Sequence, residues 1–88
     1  MPSKTVTVGS SVGLHARPAG VIAAAAADLG APVTLALVGG DAVDAGSALM
    51  IMTLGAGHGA EVVVESDDAA AVETVAGLVE SDLDAEQP

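Results

Sequence analysis

Residues 13–29, which read GLHARPAGVIAAAAADL, join a glycine-led loop to an apolar segment of helical pattern. Pro18 suits the first turn of a helix, because the N–H that it lacks would have no helical partner there. Apolar side chains recur at helical spacing and form one stripe along this segment: Val21, Ile22, Ala25, Ala26 and Leu29. The pattern predicts a helix over residues 18–29 that ends at Gly30.

Working outward from this helix, apolar residues that alternate with polar ones, or that run together as residues 62–64 do, predict four short strands, over residues 5–8, 33–37, 41–44 and 61–65. Gly39 and Gly40 make the second and third of these a hairpin. An apolar helix is predicted over residues 48–54, with Ser47 as its N-cap. Residues 66–68 cap a final helix whose apolar stripe is Val72, Val75, Val79 and Leu83.

The composition limits the chain to one small domain, residues 1–88. The core must be built from aliphatic side chains, because the sequence has no Phe, Tyr or Trp. The absence of cysteine excludes disulfides and thiolate metal sites. Four strands and three helices predict an α+β fold in which the helices cover one face of a single sheet, although the pattern leaves the strand pairing open.

The net charge and the apolar runs of the sequence limit the partners and the cellular location to be expected. A net charge of −10, from 2 basic and 12 acidic residues, argues against nucleic acid and is typical of proteins from high-salt cytoplasms, such as those of halophiles. No signal-type apolar run opens the chain, and the alanine-rich residues 19–27 are too few to span a bilayer. We therefore expect a cytoplasmic protein that does not insert into a membrane.

The acidic residues are unevenly distributed. Residues 1–27 contain both basic side chains, Lys4 and Arg17, and no acid, and residues 45–60 contain no acid or base apart from His58. If these two stretches meet in space, they form a face without carboxylates on a strongly negative molecule. A site for an anionic group requires such a gap in the acidic field.

His15 is the candidate reactive residue, because it lies where the loop meets the helix. Backbone N–H groups and the helix dipole favour negative charge at that position. Arg17 is placed to offer a forked contact to phosphate oxygens. The alternative is that His15 is only a polar helix cap and Arg17 only a surface cation.

The segment GLHARPA, residues 13–19, resembles the active-site motif of HPr, the histidine-containing phosphocarrier of the phosphoenolpyruvate-dependent sugar phosphotransferase system. Residues 46–56, GSALMIMTLGA, look like the second-helix segment of that family, and residues 59–62, GAEV, look like its lead into the last strand. The resemblance spans nearly the whole chain. It implies an open-faced β-sandwich of order βαββαβα, with a four-stranded antiparallel sheet covered on one face by three helices.

The resemblance also implies the chemistry. Enzyme I would phosphorylate His15 on Nδ1, and the phosphoryl group would pass to the A component of a sugar-specific Enzyme II. Arg17 would stabilise the phosphate, and Ala16 and Pro18 would shape the helix start. Such a carrier is not an enzyme in the usual sense, works without a cofactor or metal, and is expected to be a monomer.

Two further surfaces follow from the same resemblance. The partner-docking patch maps to Gly20, Ala24, Ala48, Leu49 and Met52, whereas Met50, Ile51 and Leu54 are the expected core side of that helix. Ser47 aligns with the serine that an HPr kinase phosphorylates in some bacteria. Position 46 is Gly where many regulated members carry Lys or Arg, so we predict that Ser47 is a plain N-cap.

Other functions are weighed against the carrier. A regulator of the same fold would typically lack the phosphorylatable His. A hydrolase would pair His15 with Ser11 or Ser47, but no acid precedes Asp28, and a chain this small encloses no deep pocket. A bare structural module would leave the acid-free face unexplained. His58 and the terminal Asp82 and Asp84 are interpreted as solvated, and the sequence does not name the final acceptor.

Overall fold

A computed structural model of the protein describes residues 2–9 and 13–81. The elements are β1 Ser3–Thr7, α1 Ala16–Asp28, β2 Val33–Leu37, β3 Val43–Asp44, α2 Ala48–Thr53, β4 Glu61–Ser66 and α3 Ala69–Glu80. This is the predicted order βαββαβα. The residues predicted at 10–11 as a loop, and Leu83 of the last stripe, lie outside the described residues.

The four strands form one antiparallel sheet in the order β1-β4-β2-β3. β4 lies between β1 and β2, with Val62 opposite Val6 on one side and Leu37 on the other. β2 and β3 form the predicted hairpin, in which Leu35 faces Val43. The predicted fold class is therefore confirmed, including the antiparallel pairing that the resemblance implied.

Side chains alternate across the sheet, so that one face is buried under the helices. Val6, Leu35, Val62 and Val64 lie on that face and are at most 4% exposed. They join side chains from all three helices in one aliphatic cluster. α3 packs against β1 and β4, and α1 packs against α2 and α3. The opposite face of the sheet carries no helix among the residues described, which gives the open-faced architecture.

α1 begins and faces differently from the prediction. The helix starts at Ala16, two residues before the predicted start, so Pro18 is its third residue, where a missing N–H still costs no helical hydrogen bond. The buried face consists of Pro18, Ala19, Ile22, Ala23 and Ala26. Val21, predicted to lie on the apolar stripe, is instead 41% exposed. An alanine-rich segment has few large side chains to fix the buried face.

α3 is capped at its start and is held against β1 farther along the helix. Asp68 is its N-cap, with Oδ1 accepting from Ala70 N–H at 3.0 Å. At the other end the Gly9 N–H donates to the Val79 carbonyl at 3.1 Å. Lys4 lies on the helix side of β1, and its Nζ is 3.2 Å from Oε1 of Glu73. The end of β1, which leads toward the His15 loop, is thereby fixed to the last helix.

No helix within residues 2–9 and 13–81 has both the length and the apolar character needed to cross a bilayer.

Candidate functional site

His15 occupies the N-cap position of α1. Its backbone is extended, with φ −89° and ψ −162°, and its carbonyl accepts the first helical hydrogen bond, from Ala19 N–H at 2.8 Å. Its side chain makes no capping hydrogen bond and is exposed. The interpretation of His15 as a side-chain cap is therefore wrong. The ring is accessible at a helix start, where backbone N–H groups favour an anion.

The two residues before His15 are held in place by the loop that follows α2. Leu14 is 4% exposed, and its N–H donates to the Ala56 carbonyl at 2.9 Å. Gly13 has φ +75°, and a Cβ placed on it would lie 2.5 Å from the Ala56 oxygen and 2.8 Å from Gly57 Cα. Only glycine permits this backbone conformation together with such a close approach. The segment that carries His15 therefore packs against the loop that follows α2. We call Ala56 and Gly57, which it contacts, the seat of the His15 segment.

The seat provided by Ala56 and Gly57 was not identified from the sequence as part of the site. Residues 45–60 were singled out for their lack of charge, and that was the one available signal. The Leu14–Ala56 hydrogen bond and the packing of α1 on α2 bring this stretch to residues 13–27. The two stretches without acidic residues therefore meet, as the charge distribution suggested, and the Asp44 carboxylate reaches their edge, where its Oδ1 accepts from Gly46 N–H at 2.8 Å. We call the surface of the two stretches the acid-free face and define it as residues 13–27 and 45–60.

The other predicted residues of the motif occupy the first turn of α1. Arg17 is the second helical residue and is exposed, two positions from His15. Ala16 is exposed, and Pro18 is fully buried. The buried pyrrolidine ring anchors the turn to the core, while His15 and Arg17 on either side of Ala16 are exposed. The chain thus brings an imidazole and a guanidinium to the same open helix start.

The predicted docking residues lie on α1 and α2 with graded exposure. Leu49 is 70% exposed and Ala24 is exposed, whereas Gly20, Ala48 and Met52 are half-buried. Ala48 and Met52 pack partly against the core.

The assignment of Met50 to the core is wrong, because this side chain is 42% exposed. Ile51 is fully buried, as predicted, and Leu54 packs against the core while partly buried. A helix of six residues buries essentially one side chain at its centre, which here is Ile51. Leu49 and Met50, the two residues before Ile51, are exposed.

Ser47 is the N-cap of α2, as predicted. Its Oγ accepts from Met50 N–H at 3.3 Å, and the residue is half-buried. This engagement gives Ser47 a structural role that does not involve His15. Ser11, the other hydroxyl considered for a hydrolase, lies outside the described residues.

His15 lies on the surface of the part of the chain that the structure describes. One surface cavity of about 390 Å³ is lined by residues that include Pro32 and Asp44. Another, of about 370 Å³, is lined by residues that include Val43 and Leu54. His15 lines neither of them. Within the part of the chain that the structure describes, no three histidine or carboxylate side chains cluster as metal ligands. His58 is exposed in the loop after α2. The geometry suits a site that is covered by a partner protein during reaction.

Comparison with known proteins agrees with this geometry. The family model described as the phosphorylation site of the PTS HPr component matches residues 2–81. The phosphocarrier protein HPr of Streptomyces coelicolor is 44% identical over 87 residues, covering 96% of this chain and 94% of that protein.

Solved structures show the same fold. HPr from Bacillus anthracis is 32% identical, with a TM-score of 0.79 over 89% of this chain and 95% of its own. A Thermoanaerobacter tengcongensis structure titled HPr-C-His is 28% identical, with a TM-score of 0.85 over 99% of this chain and 100% of its own. From its motif, its architecture and these relatives, the chain belongs to the HPr family of phosphotransferase-system phosphocarriers.

Proposed function

We propose that this protein accepts a phosphoryl group on Nδ1 of His15 from Enzyme I and passes it to the A component of a sugar-specific Enzyme II. The observation that carries the proposal is the exposed, uncapped His15 at the start of α1, with Arg17 in the same turn. Family membership supports the phosphocarrier role in general. The particular donor, acceptor and nitrogen are our assignment.

The transfer itself is a displacement at phosphorus. The Nδ1 lone pair of His15 attacks the phosphorus carried by a phosphohistidine of Enzyme I, and the bond from phosphorus to the donor nitrogen breaks as the new bond forms. The donor nitrogen keeps the electron pair of the broken bond. The same displacement, with His15 as the leaving group, delivers the phosphoryl group to the acceptor. Catalysis in such a step consists of positioning and charge compensation.

Three features of the chain would supply that compensation. The first turn of α1 directs backbone N–H groups and the positive end of the helix dipole toward the phosphoryl oxygens. The Arg17 guanidinium provides charge-assisted hydrogen bonds in a planar fork. The absence of carboxylates from residues 13–27 and 45–60 keeps repulsion low around a group that carries up to two negative charges. No metal or cofactor is required by this scheme.

Docking in the proposed cycle uses Gly20, Ala24, Ala48, Leu49 and Met52, which flank the His15 end of the molecule. A monomer in the cytoplasm would present this surface to Enzyme I and to the acceptor in turn. Ser47 is proposed as a structural cap, whose Oγ accepts from Met50 N–H, and not as a target of an HPr kinase, because Gly46 precedes it where many regulated members carry Lys or Arg. Phosphate on Ser47 after incubation with such a kinase and ATP would contradict that assignment.

The test uses the two histidines of the chain as a matched pair. Wild type, His15→Ala and His58→Ala are incubated with phosphoenolpyruvate, Mg²⁺ and purified Enzyme I from the same organism, and the added phosphate is followed by mass spectrometry. We expect an acid-labile phosphate on wild type and on His58→Ala, and none on His15→Ala. Failure of wild type to accept phosphate from an Enzyme I that charges another carrier would overturn the proposal.

A further inference from the structure

The outer side of β1 is an unpaired strand edge. β1 is the first strand in the sheet order and pairs with β4, and no strand within residues 2–9 and 13–81 adjoins its other side. Directly after β1, Val8 N–H donates to the Ala60 carbonyl at 2.9 Å, so the even-numbered residues are the ones bonded toward β4. The backbone groups of the odd-numbered residues therefore point away from the sheet: Ser3, Thr5 and Thr7.

The two edges of the sheet differ in length and protection. β3, at the far edge, has two residues, whereas β1 has five. Natural proteins protect a sheet edge with a very short strand, a charged side chain or a proline. Lys4 is the one charged residue of β1, but it lies on the helix side, with its Nζ 3.2 Å from Oε1 of Glu73. The edge of β1 is therefore long enough and open enough to pair with another strand.

The open face of the sheet places two carboxylates behind this edge. Ser3 lies opposite Glu65, and Thr7 lies opposite Glu61, on the face that no described helix covers. Ser3 and Thr7 are small and exposed, so they leave the space above the edge open. Glu61 and Glu65 are four residues apart in β4, which corresponds to about 13 Å along the strand.

We propose that β1 accepts a fifth strand from a partner protein, an extended segment with two Lys or Arg side chains four residues apart on one face. Its backbone pairs with the outward N–H and C=O of Thr5 and the neighbouring odd residues. Its two cations lie opposite Ser3 and Thr7, about 10 Å from the β4 backbone, and their long side chains reach over these small residues to Glu65 and Glu61. In strand addition, backbone bonds supply affinity and alternate side chains supply specificity.

Charge complementarity selects this occupant. The open-face residues of β1, β4 and β2 that pair across the sheet include two acids and no base. An acidic segment would be repelled there. A second copy of β1, paired antiparallel about Thr5, would place only Ser or Thr opposite Ser3 and Thr7 and leave both carboxylates without a cation. β1 contributes no residue to the acid-free face, so this inference does not depend on the proposed function.

The probe is a synthetic peptide, TKVTVKT, capped at both ends, whose two lysines are four residues apart, and the matched control is TEVTVET. Each is titrated into the isotope-labelled full chain at about 0.1 M KCl, and the backbone amide resonances are followed by NMR. We expect the lysine peptide to shift the amides of Ser3, Thr5 and Thr7 with a Kd below about 1 mM, and the control to leave them unchanged. Absence of these shifts up to about 5 mM lysine peptide, or equal shifts with both peptides, would overturn the proposal.

Matched substitutions at Thr5 test the backbone pairing. Thr5→Pro removes an outward N–H without removing a bond to β4, whereas Thr5→Ser retains that N–H. We expect the Kd of the lysine peptide to rise about fivefold or more in the first variant and less than about twofold in the second. Methylation of the central nitrogen of the peptide makes the same test on the wild-type protein, should Thr5→Pro fail to fold. A Kd that methylation leaves unchanged contradicts strand addition.

Two double variants of equal net charge test the position of the cations. We expect Glu61→Gln with Glu65→Gln to weaken the lysine peptide by about threefold or more, and Asp28→Asn with Asp41→Asn by less than about twofold. Equal weakening would mean that net charge alone attracts the peptide, which overturns the site. Shifts of the β1 amides with protein concentration, in the absence of peptide, would assign the edge to a second copy of the chain and overturn the proposed occupant.

Discussion

The starts of α1 and α3 differ in a way that separates the functional half of the molecule from the structural half. Asp68 caps α3 with its own carboxylate, which accepts from Ala70 N–H at 3.0 Å. His15 occupies the equivalent position of α1 and makes no such bond. Even the six-residue α2 has a side-chain cap, Ser47. Of the three described helices, the one without a side-chain cap is the one that begins at His15, the proposed phosphoryl acceptor.

The difference shows that the free backbone N–H groups at a helix start can be used in two ways. A side chain of the protein can bond to them, or they can be left for an external anion. A side-chain oxygen at an N-cap satisfies a backbone donor and typically stabilises a helix by about 1 kcal/mol. A helix that omits this oxygen forgoes that stability and keeps its positive end available to an external anion. At α1 the stability lost with the cap is compensated by the residue before His15. Leu14 is buried, and its N–H donates to the Ala56 carbonyl.

The largest expected effect comes from giving α1 the cap that it lacks. In His15→Ser the hydroxyl can accept from the first turn, so we expect the free energy of unfolding to rise by about 0.5–1 kcal/mol while phosphorylation by Enzyme I is abolished. Thermal unfolding and the mass-spectrometric assay measure the two effects. A variant that is less stable than wild type would show that the imidazole supports the helix start by some other contact.

After that complete loss of phosphorylation, the next effect is the largest on stability alone and is expected from breaking the seat of the His15 segment. Gly13→Ala places a Cβ 2.5 Å from the Ala56 oxygen at a φ of +75°, which should lower the free energy of unfolding by about 2–4 kcal/mol. The control is Gly77→Ala in α3, where a Cβ meets nothing within 4 Å. Alanine is the better helix former, so this variant should gain about 0.5–1 kcal/mol.

Urea denaturation of both glycine variants provides the comparison. Equal stabilities of Gly13→Ala and wild type would mean that the loop after α2 yields to the added methyl group, and that the attachment of the His15 segment is loose.

The smallest effect is expected from removing the cap of α3. Asp68→Ala loses the acceptor for Ala70 N–H and should cost about 1 kcal/mol of stability, or about 4–8 °C in the melting temperature. The rate of phosphoryl transfer should match that of wild type when both proteins are folded, because Asp68 lies outside the acid-free face. A slower transfer at a temperature where circular dichroism shows full folding would contradict the division into two halves.

The sequence predicted the elements well where side chains of different size or polarity alternate. β2 was predicted with the bounds observed, and the β2–β3 hairpin and the Ser47 cap were confirmed. In α1 and α2 the errors concern which way a helix faces, as Val21 and Met50 show. Both helices offer apolar side chains on nearly every side, so their burial depends on neighbours that no local pattern specifies.

The site was predicted in part. His15 and Arg17 followed from their place at a helix start and from the resemblance to HPr, and their roles in phosphoryl transfer stay predictions. The contact of Gly13 with Ala56 joins residues far apart in the chain, and no spacing rule predicts such a contact. The lack of charge in both stretches, and the docking patch that the resemblance draws from both of them, were the indications that they belong together.

The aliphatic core has an optical consequence. With no Phe, Tyr or Trp anywhere in the sequence, this protein contributes essentially no near-ultraviolet absorbance and no intrinsic fluorescence. In a mixture with a tryptophan-containing partner, every emitted photon reports on the partner, so docking can be followed without a label on either protein. A single tryptophan introduced at Val38 would make the carrier itself visible from a position outside the acid-free face.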